Sequence, residues 1–124
     1  MANAVTITET VGTTPLLSSE LGAIYSEQQI AELVSVYSTK YGVNPTKVLE
    51  TVRCESRFKN VQSGIVSNGN REDSWGIAQI HLPSNLTISK QQALQPEFAI
   101  EWMVKQFSLG KAKKWSCYRS LYQS

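Results

Sequence analysis

The chain has 124 residues, a formal net charge of +2, and 41% hydrophobic and 18% charged residues, the make-up of a globular protein with a polar surface. That length supports one domain with a real core and leaves little for a second. No stretch approaches the ~18 apolar residues of a membrane-spanning helix, so no span is expected, and MANAVTITET, without basic residues or a long apolar run, does not read as a secretory signal.

Residues 1–25 lack a helical period, contain Gly12, Pro15 and Gly22, and are rich in Ser and Thr. They read as an N-terminal arm or linker suited to attachment, with Leu16, Leu17, Leu21 and Ile24 available to dock on the domain over 26–124. Ser26 and Gln29 then form a capping-box pattern. Ile30, Leu33, Val34, Tyr37 and Tyr41 follow along one face of an amphipathic helix, which Gly42 would stop.

Asn44-Pro45 starts a second helix, because Asn caps free amides and Pro suits the first helical position. At about 100° per residue, Val48, Val52 and Glu55 fall within roughly 60° of one another. Glu55 therefore continues an apolar stripe and faces the core or a cleft wall. If the helix ends near Phe58, the carboxylate also meets the negative end of the helix dipole. Both placements would raise its pKa, as a general acid requires. The ordinary alternative is a helical Glu that reaches back to water, but two local rules broken at one residue point to function.

Lys59 to Asp73 carries Gly64 and the Asn68-Gly69-Asn70 cluster, which signals turns with positive φ and a short hairpin. Ser74-Trp75-Gly76-Ile77-Ala78-Gln79-Ile80 is apolar with a single amide. Gly76 permits close approach of another backbone or a ligand. Trp75, Ile77 and Gln79 are either core residues or, for Trp75 and Gln79, the lining of a sugar groove. Ser89 caps a short helix over Lys90 to Leu94. Pro96 opens a longer one with Ile100, Met103, Val104 and Phe107 on one face and Gly110 as its stop. The ending KAKKWSCYRSLY reads as a last turn or short helix closing over the core. The fold expected from these patterns is mainly α with one small hairpin.

Before Lys40 the chain carries Glu9, Glu20, Glu27 and Glu32 and no Lys or Arg; after Glu101 it carries only Lys105, Lys111, Lys113, Lys114 and Arg119. The basic end suits either an anionic polymer or a solvated helix end. Lys113-Lys114-Trp115 is only a fragment of a nucleic-acid surface, so no nucleic-acid partner is expected. With a single His81 and a single Asp73, neither a zinc nor a calcium cage is expected, and no cofactor. Cys54 and Cys117 lack paired metal-site spacing. They are either two buried thiols or a disulfide, which would close a long loop and contribute on the order of 4 kcal/mol.

Cys54-Glu55-Ser56 with Phe58, followed by Ser74-x-Gly76-Ile77-Ala78-Gln79-Ile80, resembles the lysozyme-like superfamily and its soluble lytic transglycosylases. The cysteine before the glutamate, ISKQQAL, the Pro96 segment, and Gly110 followed by Trp115-x-Cys117 are similar to a resuscitation-promoting-factor-like domain. The likeness spans roughly residues 30–118. It implies an α+β lysozyme-like domain with an active-site cleft and a Cys54–Cys117 disulfide. By the same resemblance Glu55 is the catalytic acid, Ser56 its following serine, and Ser74, Gly76, Ile77 and Gln79 the segment lining the sugar cleft. Tyr118 lies near a tyrosine that transglycosylases place by the glutamate, without their Tyr-Asn-x-Gly pattern.

The activity so implied is cleavage of the MurNAc-β-1,4-GlcNAc bond of peptidoglycan strands, by one carboxylate to a 1,6-anhydro product. A lysozyme-type hydrolase would need a second carboxylate, Asp73 or its neighbour Glu72. A glycan-binding module without turnover is the remaining alternative. A disulfide implies an oxidising destination: periplasm, cell exterior or phage particle.

Overall fold

The computed structural model describes residues 24–123. The expected arm, with Leu16, Leu17 and Leu21, lies outside them except for Ile24, which is 93% exposed rather than docked, and Tyr25, which packs against the core.

Helix α1 (Glu27–Tyr41) begins at the capping box: the Ser26 hydroxyl accepts from the Gln29 amide and the Gln29 side chain accepts from the Ser26 amide. Gly42 ends it in the left-handed region at φ 69°. Ile30 and Val34 are fully buried and Leu33, Tyr37 and Tyr41 pack beside them, so the expected stripe is the core face.

Helix α2 (Pro45–Ser56) starts where Asn44 Oδ1 accepts from the Thr46 and Lys47 amides. Val48, Thr51 and Val52 are buried, and the Thr51 hydroxyl is satisfied by the Lys47 carbonyl at 2.7 Å. No glycine ends this helix. Arg57 (φ 52°) and Phe58 (φ 64°) both adopt the left-handed region, at a cost of about 1–2 kcal/mol per residue for side chains bearing a Cβ. Local contacts offset that cost: the Ser56 hydroxyl donates to the Val52 carbonyl and accepts from the Phe58 amide, and the Arg53 guanidinium lies 5.5 Å from the Phe58 ring centre.

Strands β1 (Val66–Ser67) and β2 (Asn70–Arg71) form the expected hairpin, turning on Asn68 (φ 53°) and Gly69 (φ 79°). Positive φ at both central residues matches the twist of an antiparallel pair. A second ladder, beyond the single hairpin expected, joins β3 (Ser74–Trp75) to β4 (Ile80–His81), with Ser74 opposite His81 and Trp75 opposite Ile80. Its loop turns at Gly76 (φ 83°) and Gln79 (φ 51°). A left-handed glutamine is not marked by residue type, and the apolar run hides the turn.

Helix α3 (Lys90–Ala93) carries a second capping box, between Ser89 and Gln92. Helix α4 (Pro96–Ser108) buries Ala99, Ile100, Met103 and Val104 and lies along α1, where Tyr41 and Lys40 both donate to Glu101. A 3-10 turn (Ala112–Lys114) leads into α5 (Ser116–Tyr122). The described fold is thus mainly helical with two small antiparallel sheets, and its core joins α1, α2 and α4 to Ile77, Ala78, Ile80 and Trp115. Fully burying each large aliphatic side chain contributes about 1.5–3 kcal/mol. Cys54 and Cys117 are disulfide-bonded, tying the last turn of α2 to the first turn of α5. No helix among the described residues is long and apolar enough to cross a membrane.

Candidate functional site around Glu55

Glu55 is one turn beyond Val52 on α2, and the stripe changes character between them. Val48 and Val52 are fully buried, whereas Glu55 is half-buried and opens onto the surface. Its carboxylate is held from the other end of the chain: Oε2 accepts the Cys117 backbone amide at 2.9 Å and the Ser116 hydroxyl at 3.4 Å. The disulfide from the neighbouring Cys54 to Cys117 fixes the register of that contact. The sequence therefore places a carboxylate, a covalent tie and the amide that orients the carboxylate within one turn of each helix.

Two hollows border Glu55. The first, about 440 Å³, runs from Glu55 to the β3–β4 ladder and the C-terminal segment. The second, about 350 Å³, lies toward the end of α2 and the hairpin. Glu55, Ile65, Glu72 and Gln79 line both, so Glu55 stands where they meet. Ser56 lines the second hollow and Ser74 the first. Ser74 is buried, with its hydroxyl 3.2 Å from His81 Nδ1. Gln79 is held in its left-handed conformation by its own side chain, whose Nε2 donates to the carbonyls of Val61 and Gly76. Of the non-glycine residues at positive φ, Gln79 lines both hollows, and Arg57 and Phe58 directly follow Ser56, which lines the second. Backbone strain of this kind concentrates at sites where geometry matters more than stability.

Other sequence-marked residues take supporting places. Ile77 is fully buried in the core. Gly76 packs its α-carbon against another backbone, since a Cβ there would stand 1.9 Å from the Ala93 carbonyl oxygen. Trp75 lines neither hollow; its indole donates to Asp73 Oδ1 at 2.6 Å, and Lys90 lies 4.9 Å from its ring centre. Asp73 is engaged by that bond and also lines neither, whereas its competitor Glu72 lines both. Tyr118 packs on Phe107 and Tyr122 and lines a separate hollow bordered by Tyr41 and Lys47.

The first hollow also contains residues that sequence motifs left unmarked as site residues: Trp102, Lys114 and Arg119. Trp102 lies on the side of α4 opposite the Ile100–Val104 stripe, and a tryptophan on the polar side of an amphipathic helix is the signal that would have found it. Trp115 is 4% exposed, donates from its indole to the Ala78 carbonyl at 2.7 Å, and meets Trp102 edge-on at 5.6 Å. It fastens the C-terminal wall of the hollow to the β3–β4 loop. Lys114 lies 5.1 Å from the Trp102 ring centre. Burial, and then the neighbouring Lys111, push the Lys114 ammonium below the ordinary lysine value. Among the described residues no three His, Cys, Asp or Glu side chains come together as a metal site. The arrangement offers one oriented carboxylate, a second carboxylate nearby, aromatic surface in the first hollow and two cations in each, Lys114 and Arg119 in the first and Lys59 and Arg71 in the second. Compared with protein-family models, curated proteins and solved structures, the chain matches none.

Proposed function

We propose that the chain is a lysozyme-like lytic transglycosylase that cleaves the MurNAc-β-1,4-GlcNAc bond of peptidoglycan, with Glu55 as its acid and base. The observation that carries this reading is the position of Glu55 at the junction of two hollows, so that a polymer could lie across it with sugars on either side. Held through Oε2 by the Cys117 amide, the carboxyl has a fixed orientation, which is what a proton donor needs to reach one particular oxygen.

In the proposed reaction Glu55, protonated, gives its proton to the glycosidic oxygen as the C–O bond breaks and positive charge develops at the anomeric carbon. The GlcNAc side leaves as an alcohol. The carboxylate of Glu55 then takes the proton of the muramic 6-hydroxyl, whose oxygen closes on the anomeric carbon to give the 1,6-anhydro sugar. No water is consumed and Glu55 ends protonated again. Gln79 and Ser74 supply polar edges to the sugars, and Trp102 an apolar face. The Cys54–Cys117 bond supports a working place in an oxidising compartment outside the cytoplasm.

A hydrolase reading is favoured by one observation, that Glu72 shares both hollows with Glu55. In that case Glu72, not Asp73, would activate water or stabilise the cation. Mass spectrometry of soluble products from purified peptidoglycan separates the two. Anhydro-muramyl ends that persist in Glu72→Gln support the transglycosylase; reducing ends that vanish in Glu72→Gln establish the hydrolase. No product from several wall types leaves a glycan-binding module.

A further inference from the structure

The separate hollow bordered by Tyr41, Lys47 and Tyr118 has a volume of about 340 Å³ and shares no lining residue with either hollow at Glu55. It lies where the ends of α1 and α4 meet the start of α2 and the C-terminal segment. That segment is a two-sided wall: Lys113 and Tyr118 line this hollow, and their chain neighbours Lys114 and Arg119 line the first hollow at Glu55. Charge sets the third hollow apart. Each hollow at Glu55 mixes two carboxylates, Glu55 and Glu72, with two cations, whereas the charged side chains lining the third are Lys47 and Lys113 alone. Neither lysine is in an ion pair, since the only such pair among the described residues is Lys40–Glu101. Glu101 and Glu50 bond to the Tyr41 and Tyr122 hydroxyls and do not line the hollow. Lys47 is half-buried, with its ammonium 5.2 Å from the Tyr122 ring centre. Beside the two ammonium groups stand three aromatic side chains, Tyr41, Phe107 and Tyr118.

We infer that this third hollow is a second binding site, separate from the place of cleavage, for one anionic sugar unit: a ring bearing a carboxylate or a phosphate. Its aromatic surface takes the apolar side of a sugar ring. Its two ammonium groups, with no carboxylate of the protein to bind, take the anion through charge-assisted hydrogen bonds. A neutral sugar gains only the ring contact. Two cations at one hollow suit a single anionic group, whereas following a nucleic-acid backbone needs a groove of them. The basic end of the chain thus divides its charges, with Lys113 serving this hollow and Lys114 the one at Glu55. Because no lining residue is shared, a unit held here leaves both hollows at Glu55 open to the strand being cut. That the sugar belongs to a wall polymer rests on the proposed function; the site itself rests on the hollow.

The test is a nuclear magnetic resonance titration of the full, isotope-labelled chain, read at the amides of Gly42, Gly110 and Lys113, which line the hollow. The probes are N-acetylmuramic acid, N-acetylglucosamine 6-phosphate, neutral N-acetylglucosamine, inorganic phosphate and a short oligothymidylate. The expected result is a saturable shift of these amides by one or both anionic sugars, about fivefold or more tighter than by the neutral sugar and weakening with added salt. The tighter of the two anionic sugars identifies whether a carboxylate or a phosphate is read. The preference should fall to near unity in Lys47→Gln/Lys113→Gln and persist in Lys105→Gln/Lys111→Gln, which removes the same charge from residues that line none of the three hollows. Lys113→Gln alone keeps the backbone carbonyl that Arg119 bonds and the Lys47–Tyr122 contact, and should give an intermediate ratio whether or not the double variant folds. Equal binding of neutral and anionic sugars, a preference that survives in the Lys47/Lys113 variant, or binding of inorganic phosphate or the oligothymidylate as tight as that of the sugars overturns the inference. Cleavage of peptidoglycan without the preference would leave the catalytic reading standing and sink this one; the preference without cleavage would do the reverse.

Discussion

Gly76→Ala should be the most costly glycine substitution of the β-region, and Gly69→Ala is its internal control. Both glycines have positive φ, 83° and 79°, so both substitutions incur a left-handed penalty of about 1 kcal/mol. Only at position 76 does the new Cβ meet another backbone, 1.9 Å from the Ala93 carbonyl oxygen and 2.9 Å from its carbon, whereas nothing lies within 4 Å at Gly69. Restoring an ordinary 3.4 Å contact requires the end of α3 to retreat by about 1.5 Å. Ala93 is fully buried, and the Leu94 carbonyl that follows accepts from Asn60 at 2.7 Å. Overpacking at such a position costs a further 1–3 kcal/mol or so. Urea unfolding reads the difference: with a slope of about 1.5 kcal/mol per molar, Gly76→Ala should lower the midpoint by about 2 M and Gly69→Ala by less than about 1 M. Equal midpoints for the two variants would refute the claim that the β3–β4 loop is fixed by contact with α3.

Three further perturbations probe the supports of the site. Cys54→Ser/Cys117→Ser releases a loop whose ends are 63 positions apart and should lower unfolding free energy by about 4 kcal/mol, read in urea, with the reduced wild type behaving alike. In Glu101→Gln the α1–α4 contact weakens. The Tyr41 hydroxyl, then Lys40, hold the Glu101 carboxyl below its ordinary 4.5, so its contribution is present above that pH and lost as pH falls through the lower folded value. The melting-temperature gap between wild type and Glu101→Gln should therefore be largest near neutrality and close in acid. Tyr122 is raised to about 12 by its hydrogen bond to Glu50 and, less, by burial. The stabilisation of its neutral phenol is present below pH 10 and lost toward pH 12, and an ultraviolet titration should lose its step near 12 in Tyr122→Phe.

The helices were legible because their ends carry chemistry that acts locally. Ser26 with Gln29, Asn44 with Pro45, Ser89 with Gln92, and Gly42 each fix a terminus through bonds to neighbours a few residues away. Asn68-Gly69 marks its hairpin for the same reason, since those residue types tolerate positive φ. What stayed hidden depends on distant partners. The left-handed end of α2 at Arg57 and Phe58, and the turn at Gln79, use residues whose own preferences oppose that conformation, so only surrounding bonds reveal it.

The same distinction holds in the site. Glu55 was visible as an acid on an apolar stripe, but its half-exposure and its bond to the Cys117 amide depend on where α5 docks. Asp73 and Glu72 are adjacent, and in extended chain neighbours face opposite ways. Only the register of β3 against β4, and the Trp75 indole on Asp73, decide that Glu72 faces the hollows. Tyr118 follows Cys117, whose amide holds Glu55, and its ring packs on Phe107.

The most direct test of the central claim is release of soluble fragments from purified peptidoglycan by wild type and by Glu55→Gln, with matched circular dichroism and an intact disulfide in both. Loss of a general acid lowers rate by about 100-fold or more, so the account predicts anhydro-muramyl fragments from wild type and essentially none from Glu55→Gln over the same time. Fragment release by Glu55→Gln at the wild-type rate would contradict it.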